Sequence, residues 1–252
     1  MNGNPNFPPT ALKTRIYGWI VHIFTASGAF VGLLSLVEIH HNRCVNALFL
    51  MGIAISIDAL DGFLARLINI KATLPRVDGA LLDNLVDFFN YVLVPSFFLM
   101  TCPELLPSSL RYLCVFIIVL SAAYQFTQVD AKTEDHFFKG FPSYWNIAVF
   151  YLFFWQTNAY VNFTILLVFA VLSFVPIKYV YPTRLDYLSH SHFFRVTMVA
   201  TTWIWGAATF GLMWVYPHSS LILNIISMCY MVFYFGVSIY RTCVPLTHSN
   251  SS

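Results

Sequence analysis

Charge is scarce in this 252-residue chain: Asp, Glu, Lys and Arg make up 10% of it, where an ordinary globular domain carries roughly 25%. With 58% apolar residues and a mean hydropathy of +0.70, that scarcity excludes a soluble domain and points to an all-α integral membrane protein. The net charge is only +2, with no basic stripe, which removes nucleic acid as a partner. Cysteine is sparse too. Cys44, Cys102, Cys114, Cys229 and Cys243 are odd in number, scattered and without a CxxC pair, which argues against zinc and against a disulfide framework. Internal repeats and inserted soluble domains are also lacking.

Long apolar runs are what the chain does have. Eight stretches approach the length of about 20 residues that a bilayer requires, near 15–38, 44–70, 79–101, 109–130, 143–157, 161–181, 193–215 and 220–241. They form one membrane domain over 15–242, between polar tails at 1–14 and 243–252. The first run is long enough to span and reads as an uncleaved helix. With eight crossings, one side receives Lys13, Arg15, Arg66, Lys71, Arg76, Lys132, Lys139, Lys178, Arg184, Arg195 and Arg241, while the other receives only Arg43 and Arg111. Positive residues accumulate on the cytoplasmic side, so both termini are expected there.

Against this background "DALDGFLARLINIKATLPRVDGALLDNLVD", residues 58–87, holds five of the chain's eleven acidic side chains. Asp58 and Asp61 are three apart near the cytoplasmic end of the second span; Asp83 and Asp87 are four apart at the start of the third. Each spacing puts two carboxylates on one helical face, so two antiparallel helices can aim all four at one point. Unpaired in a low-dielectric setting they would cost several kcal/mol each, so a cation is required. Hard oxygen donors without His or Cys select Mg²⁺, Mn²⁺ or Ca²⁺ over zinc or copper. Two divalent ions would balance four aspartates and grip a diphosphate. Gly62, Ala65 and Gly79 allow close approach of a ligand, and Arg66 can fork onto a phosphate or one of the aspartates. Asp87, the deepest carboxylate, suits the role of a base.

The pattern Asp58-x2-Asp61-Gly62-x2-Ala65-Arg66, then Gly79-x3-Asp83-x3-Asp87, resembles the signature of the CDP-alcohol phosphatidyltransferase family, with all its defining residue types present. "LINIKATLPRVD" makes the gap between Arg66 and Gly79 longer than the family's usual one. Together with eight spans, "FFKGFPSYWN" and "YVYPTR", that gap is similar to the phosphatidylcholine-forming branch of the family in bacteria. The resemblance implies that choline attacks CDP-diacylglycerol and CMP leaves. It implies Asp58, Asp61, Asp83 and Asp87 as ligands of two Mn²⁺ or Mg²⁺ ions, Asp87 also as the base, and Gly62, Ala65, Arg66 and Gly79 as the frame of the CDP moiety. It further implies a homodimer among the lipids of the bacterial inner membrane, with the active site on the cytoplasmic side.

Choline offers a quaternary ammonium, which aromatic faces recognise. Most of the 25 Phe, 14 Tyr and 6 Trp belong to lipid contacts or interface anchors. Tyr144 and Trp145 stand out at the cytoplasmic entrance of the fifth span, and Tyr91 lies one turn beyond Asp87. Lys139, Lys178 and Arg184 are candidates for lipid phosphates, although rim cations are expected there anyway. Asp78 needs no role in its loop, "HSH" at 190–192 reads as solvated, and "NFT" at 162–164 falls at a span edge. A membrane prenyltransferase would carry a second aspartate-rich motif, which Asp130, Glu134, Asp135 and Asp186 do not form. A cation transporter would spread its acids across the midplane. Within the family, serine, inositol phosphate or glycerol phosphate are the alternative acceptors; anionic ones would call for more fixed cations near the aspartates.

Overall fold

The computed structural model describes residues 12–67, 74, 77–102, 104–133, 135, 137–181 and 191–244. Arg184, Lys71, Arg76 and most of both tails lie outside the described residues. Within them the chain forms eight helical rods: α1 (Leu12–His40), α2 (Cys44–Leu67), α3 (Gly79–Thr101), α4 (Arg111–Thr127), α5 (Trp145–Trp155), α6 (Ala159–Leu172), α7 (His192–Val215) and α8 (Leu221–Cys243). A two-stranded antiparallel ribbon pairs β1 (Phe138–Lys139) with β2 (Lys178–Tyr179).

Five of these helices, α1, α2, α3, α7 and α8, are long and apolar enough to cross a membrane. The other three are shorter than the apolar runs suggest. α5 has 11 residues and rises about 16 Å, roughly half of the hydrocarbon thickness. α6 ends at Leu172 instead of running to 181, and the chain turns into β2. Pro176 supplies the reason: it has no N–H to donate, and its ring forces Val175 out of helical geometry.

α1, α2 and α3 pack as one group. Small residues on α1 let the others close in: a Cβ on Gly32 would stand 2.0 Å from Asn90 Oδ1 and 2.8 Å from the Phe89 ring. Asn90 donates to the Gly28 carbonyl at 3.1 Å, and Ser35 donates to the Ala47 carbonyl at 2.9 Å. The core then continues from α3 through Phe98 and Leu99 to Ile118 on α4, Val149 on α5 and Leu166 on α6, all fully buried.

α3 is not uniform. Its Phe88–Leu93 segment is π-helical, between α-helical Gly79–Asp87 and Val94–Thr101. Pro95 accounts for the wider turn, because a proline inside an α-helix clashes with the carbonyl four residues back. The π turn begins at the residue after Asp87, a placement common at functional sites.

α7 and α8 form a second pair, joined to the rest by polar contacts. Trp155 Nε1 donates to Asn224 Oδ1 at 3.0 Å and Trp205 Nε1 to Tyr151 Oη at 2.7 Å. The backbone of β2 and of the residue after it is pinned to α8: the Lys178 amide donates to Thr242 Oγ1 at 2.8 Å, and Tyr234 Oη donates to the Val180 carbonyl at 2.9 Å.

A candidate metal centre beside an aromatic wall

Asp58 projects from α2, and Asp83 and Asp87 from the first two turns of α3, where Asp78 caps the helix by accepting the Leu81 amide at 3.0 Å. Carboxylate oxygens of Asp58, Asp83 and Asp87 lie within 4.8 Å of one another, and all three residues are half-buried. The side chains of Asp58 and Asp87 are in hydrogen-bond contact. Such a convergence of hard oxygen donors, with neither His nor Cys among them, fits a divalent cation of the Mg²⁺ or Mn²⁺ kind.

Asp61, expected in the same cluster, is not part of that trio. It is buried, and its carboxylate is in hydrogen-bond contact with Thr25 on α1 and with the backbone of Gly62, although Asp58 and Asp83 remain within electrostatic reach. Arg66 folds back along α2, its Nη1 standing 3.4 Å from where a Cβ on Gly62 would be. Ala65 is half-buried on the same helix. Gly79 faces α1, and a Cβ there would meet His22 Cε1 at 2.8 Å.

α1 is therefore a third wall of the site, missed in the sequence. His22, Thr25, Gly28 and Gly32 recur at helical spacing on the side that faces α3. Their small or polar character in an apolar span was the available signal. His22 is 6% exposed, and its Nε2 has no hydrogen-bond partner among the described residues. Lys132, in the loop after α4, is in the sequence only one of the cytoplasmic-side cations, with nothing to tie it to the aspartates. It is close enough to Asp58, Asp83 and Asp87 to act on all three electrostatically.

Tyr91 Oη donates to Asp58 Oδ2 at 2.7 Å, and its ring lies 6.0 Å from that of Tyr144. Trp145 sits apart from this pair: it is fully buried in the core, edge-on to Phe141 at 5.1 Å. Lys139 and Lys178 are facing partners in the ribbon and are already neutralised, Lys139 by Asp130 and Lys178 by Asp135. The Asp130 carboxyl is held below its usual range by the hydrogen bond from Lys139, which in turn raises the ammonium of Lys139. Burial alone would push the Asp135 carboxyl up, but the hydrogen bonds from Lys178 and Thr133 outweigh it and bring it down.

Residues 19–176 match the family described as CDP-alcohol phosphatidyltransferase. Among curated proteins the chain is similar to the phosphatidylcholine synthase of Legionella pneumophila subsp. pneumophila, 46% identical over 243 residues that cover 96% of this chain and 95% of that protein. The phosphatidylcholine synthase of Legionella bozemanae is 46% identical, covering 86% of this chain and all of that protein. That of Borreliella burgdorferi is 39% identical, covering 67% of this chain and 72% of that protein.

Proposed function

The chain belongs to the CDP-alcohol phosphatidyltransferase family, and on that premise we propose that it transfers the phosphatidyl group of CDP-diacylglycerol to choline, giving phosphatidylcholine and CMP. It is an integral membrane phosphatidyltransferase; choline as acceptor, the bacterial inner membrane and a cytoplasm-facing site are our reading. The observation that carries it is the junction of three carboxylates with aromatic rings. Asp58, Asp83 and Asp87 converge within 4.8 Å, and Tyr91 joins them through Asp58 to the tilted ring of Tyr144. A metal site thus borders a surface suited to an alcohol whose only charge is a quaternary ammonium.

In the reaction the choline oxygen forms a bond to the lipid-linked phosphorus, the bond from that phosphorus to the CMP oxygen breaks, and the hydroxyl proton passes to a carboxylate. We assign that proton to Asp87, which directly precedes the π turn and is in hydrogen-bond contact with Asp58. Two divalent ions, Mn²⁺ or Mg²⁺, held by Asp58, Asp61, Asp83 and Asp87, would neutralise the diphosphate and stabilise CMP as it leaves. Asp61 would complete that ligand set by turning from Thr25. Gly62, Ala65, Arg66 and Gly79 line the approach for the CDP moiety: glycine at 62 leaves room for the Arg66 guanidinium, and Gly79 leaves room for His22. Tyr91 fixes the orientation of Asp58.

The test is CMP release from CDP-diacylglycerol by purified protein with Mn²⁺ and, in separate reactions, choline, serine, inositol phosphate or glycerol 3-phosphate. Release with choline alone, lost in Asp87→Asn, is the expected result. Release with another alcohol would overturn the choline assignment while leaving the transferase intact.

A further inference from the structure

The match to the family ends at residue 176, so α7, α8 and the segment after β2 lie beyond the part of the chain that defines a phosphatidyltransferase of this kind. Those regions nevertheless reach the site. Tyr144 has Tyr181, Tyr230 and Tyr234 as electrostatic neighbours together with Asp58, and its hydroxyl is in hydrogen-bond contact with that of Tyr234. Tyr230 and Tyr234 are one turn apart on α8, with ring centroids separated by 6.3 Å. Trp205 on α7 stacks on Tyr230 at 5.0 Å.

Lipid anchoring does not explain these rings. Tyr230 and Tyr234 are 8% and 9% exposed, whereas Leu221, Ile222 and Val232 on the same helix are at least 70% exposed and supply its outer face. Hydrogen bonds also hold the tyrosines in place, Tyr230 to Thr202 at 3.0 Å and Tyr234 to the Val180 carbonyl at 2.9 Å. Burying a row of phenols that reaches the carboxylates only through Tyr144 is a poor way to build a core, since each hydroxyl needs a partner. It is a good way to present negative ring faces to a cation. One cation already lies at that edge: the Lys132 ammonium is 5.8 Å from the Tyr181 ring centroid and 5.9 Å from that of Phe138, while acting on the aspartates.

We propose that Tyr230 and Tyr234 of α8, with Tyr181 and Tyr144, form the wall that recognises the quaternary ammonium of the acceptor, so that acceptor choice is set by the helices added after the transferase segment. This inference rests on the choline reading above. The metal-binding helices perform the transfer, and the C-terminal pair decides which alcohol receives the phosphatidyl group. Trp205 braces Tyr230 from behind and positions it.

The experiment compares full-length wild type with Tyr230→Leu, Tyr234→Leu and the ring-retaining Tyr230→Phe. CMP release is followed while choline and CDP-diacylglycerol are titrated separately, and 3,3-dimethylbutan-1-ol is added as a neutral isostere of choline. Each Leu variant is expected to raise the KM for choline by roughly 3- to 30-fold, the range of a cation–aromatic contact, with the KM for CDP-diacylglycerol within about two-fold. Tyr230→Phe, which keeps the ring and loses only the bond to Thr202, is expected to raise the KM for choline less than Tyr230→Leu does, and the preference of wild type for choline over the isostere shrinks in the Leu variants. If a helix variant does not fold, Tyr181→Leu, at the end of the ribbon, makes the same comparison. Equal shifts in both KM values, or none, in a wild type that uses choline would overturn the aromatic wall and leave the choline reading standing. A wild type that releases CMP only with a different alcohol would overturn the choline reading itself.

Discussion

Tyr91→Phe removes one oxygen atom at the joint between metal site and aromatic wall. The hydroxyl donates to Asp58 Oδ2 at 2.7 Å, a short bond to a group that is charged when it holds a cation. Hydrogen bonds to charged groups contribute about 1.5–3 kcal/mol, and each 1.4 kcal/mol is about ten-fold in an equilibrium constant. Freed from Tyr91, Asp58 would sample orientations that do not ligate, so the variant should need about 10- to 100-fold more Mn²⁺ for half-maximal activity, as for other lost outer partners of a metal ligand. The ring stays where it is, 8% exposed and 6.0 Å from Tyr144, so the KM for choline should move by no more than about two-fold. CMP release across a Mn²⁺ titration at saturating substrates reads the first number, and Mn²⁺ binding followed by electron paramagnetic resonance reads it without turnover. An unchanged Mn²⁺ requirement with a raised KM for choline would refute the reasoning and make the hydroxyl an acceptor contact instead.

Gly79→Ala places a Cβ 2.8 Å from His22, and it should raise the KM for CDP-diacylglycerol; His22→Ala in the same chain should restore it, as steady-state kinetics of the single and double variants would show. Gly32→Ala, whose Cβ would fall 2.0 Å from Asn90 Oδ1, should cost at least the 1–3 kcal/mol typical of overpacking and lower the yield of monodisperse protein on size exclusion in detergent. The lowered carboxyl of Asp135 makes its pairing with Lys178 a contribution to stability that is fully present above the ordinary carboxylate pKa of about 4 and lost as pH falls through the lower folded value. The difference in thermal midpoint between wild type and Asp135→Asn should therefore close on acidification from about pH 5 to about pH 3; a difference that is constant across that range would contradict it.

The carboxylates were legible because their arrangement is local. Spacings of three and four on two neighbouring helices fix which side chains share a face, and charge in an apolar span has few explanations. Asp61 shows where such reasoning stops, since spacing puts it on the face of Asp58 but says nothing of Thr25 on another helix. The long helices α1, α2, α3, α7 and α8 follow from length and hydropathy alone, whereas α5, buried along most of its length, and α6, with Tyr160, Val161, Val168 and Val171 exposed, come from apolar runs that look the same in sequence. Pro176 carried the information that α6 stops early. The aromatic wall was half visible. Tyr91 and Tyr144 stood near named motifs, but Tyr230 and Tyr234 share their chemistry with the rings that face lipid, and only packing separates the two populations. The core position of Trp145 is hidden for the same reason.

The π turn in α3 makes that helix an indexed joint. One residue more than an α-helical turn would hold is accommodated between Asp87 and Val94, so the half that bears Asp83 and Asp87 and the half that bears Phe98 and Leu99 have independent phases. Deleting a single residue within Phe88–Leu93 would leave each half with its own composition yet rotate one against the other by about 100°, the angular step of an α-helix. Insertions and deletions, usually confined to loops, thus have one position inside a membrane span where they would retune the aim of the carboxylates against a fixed core.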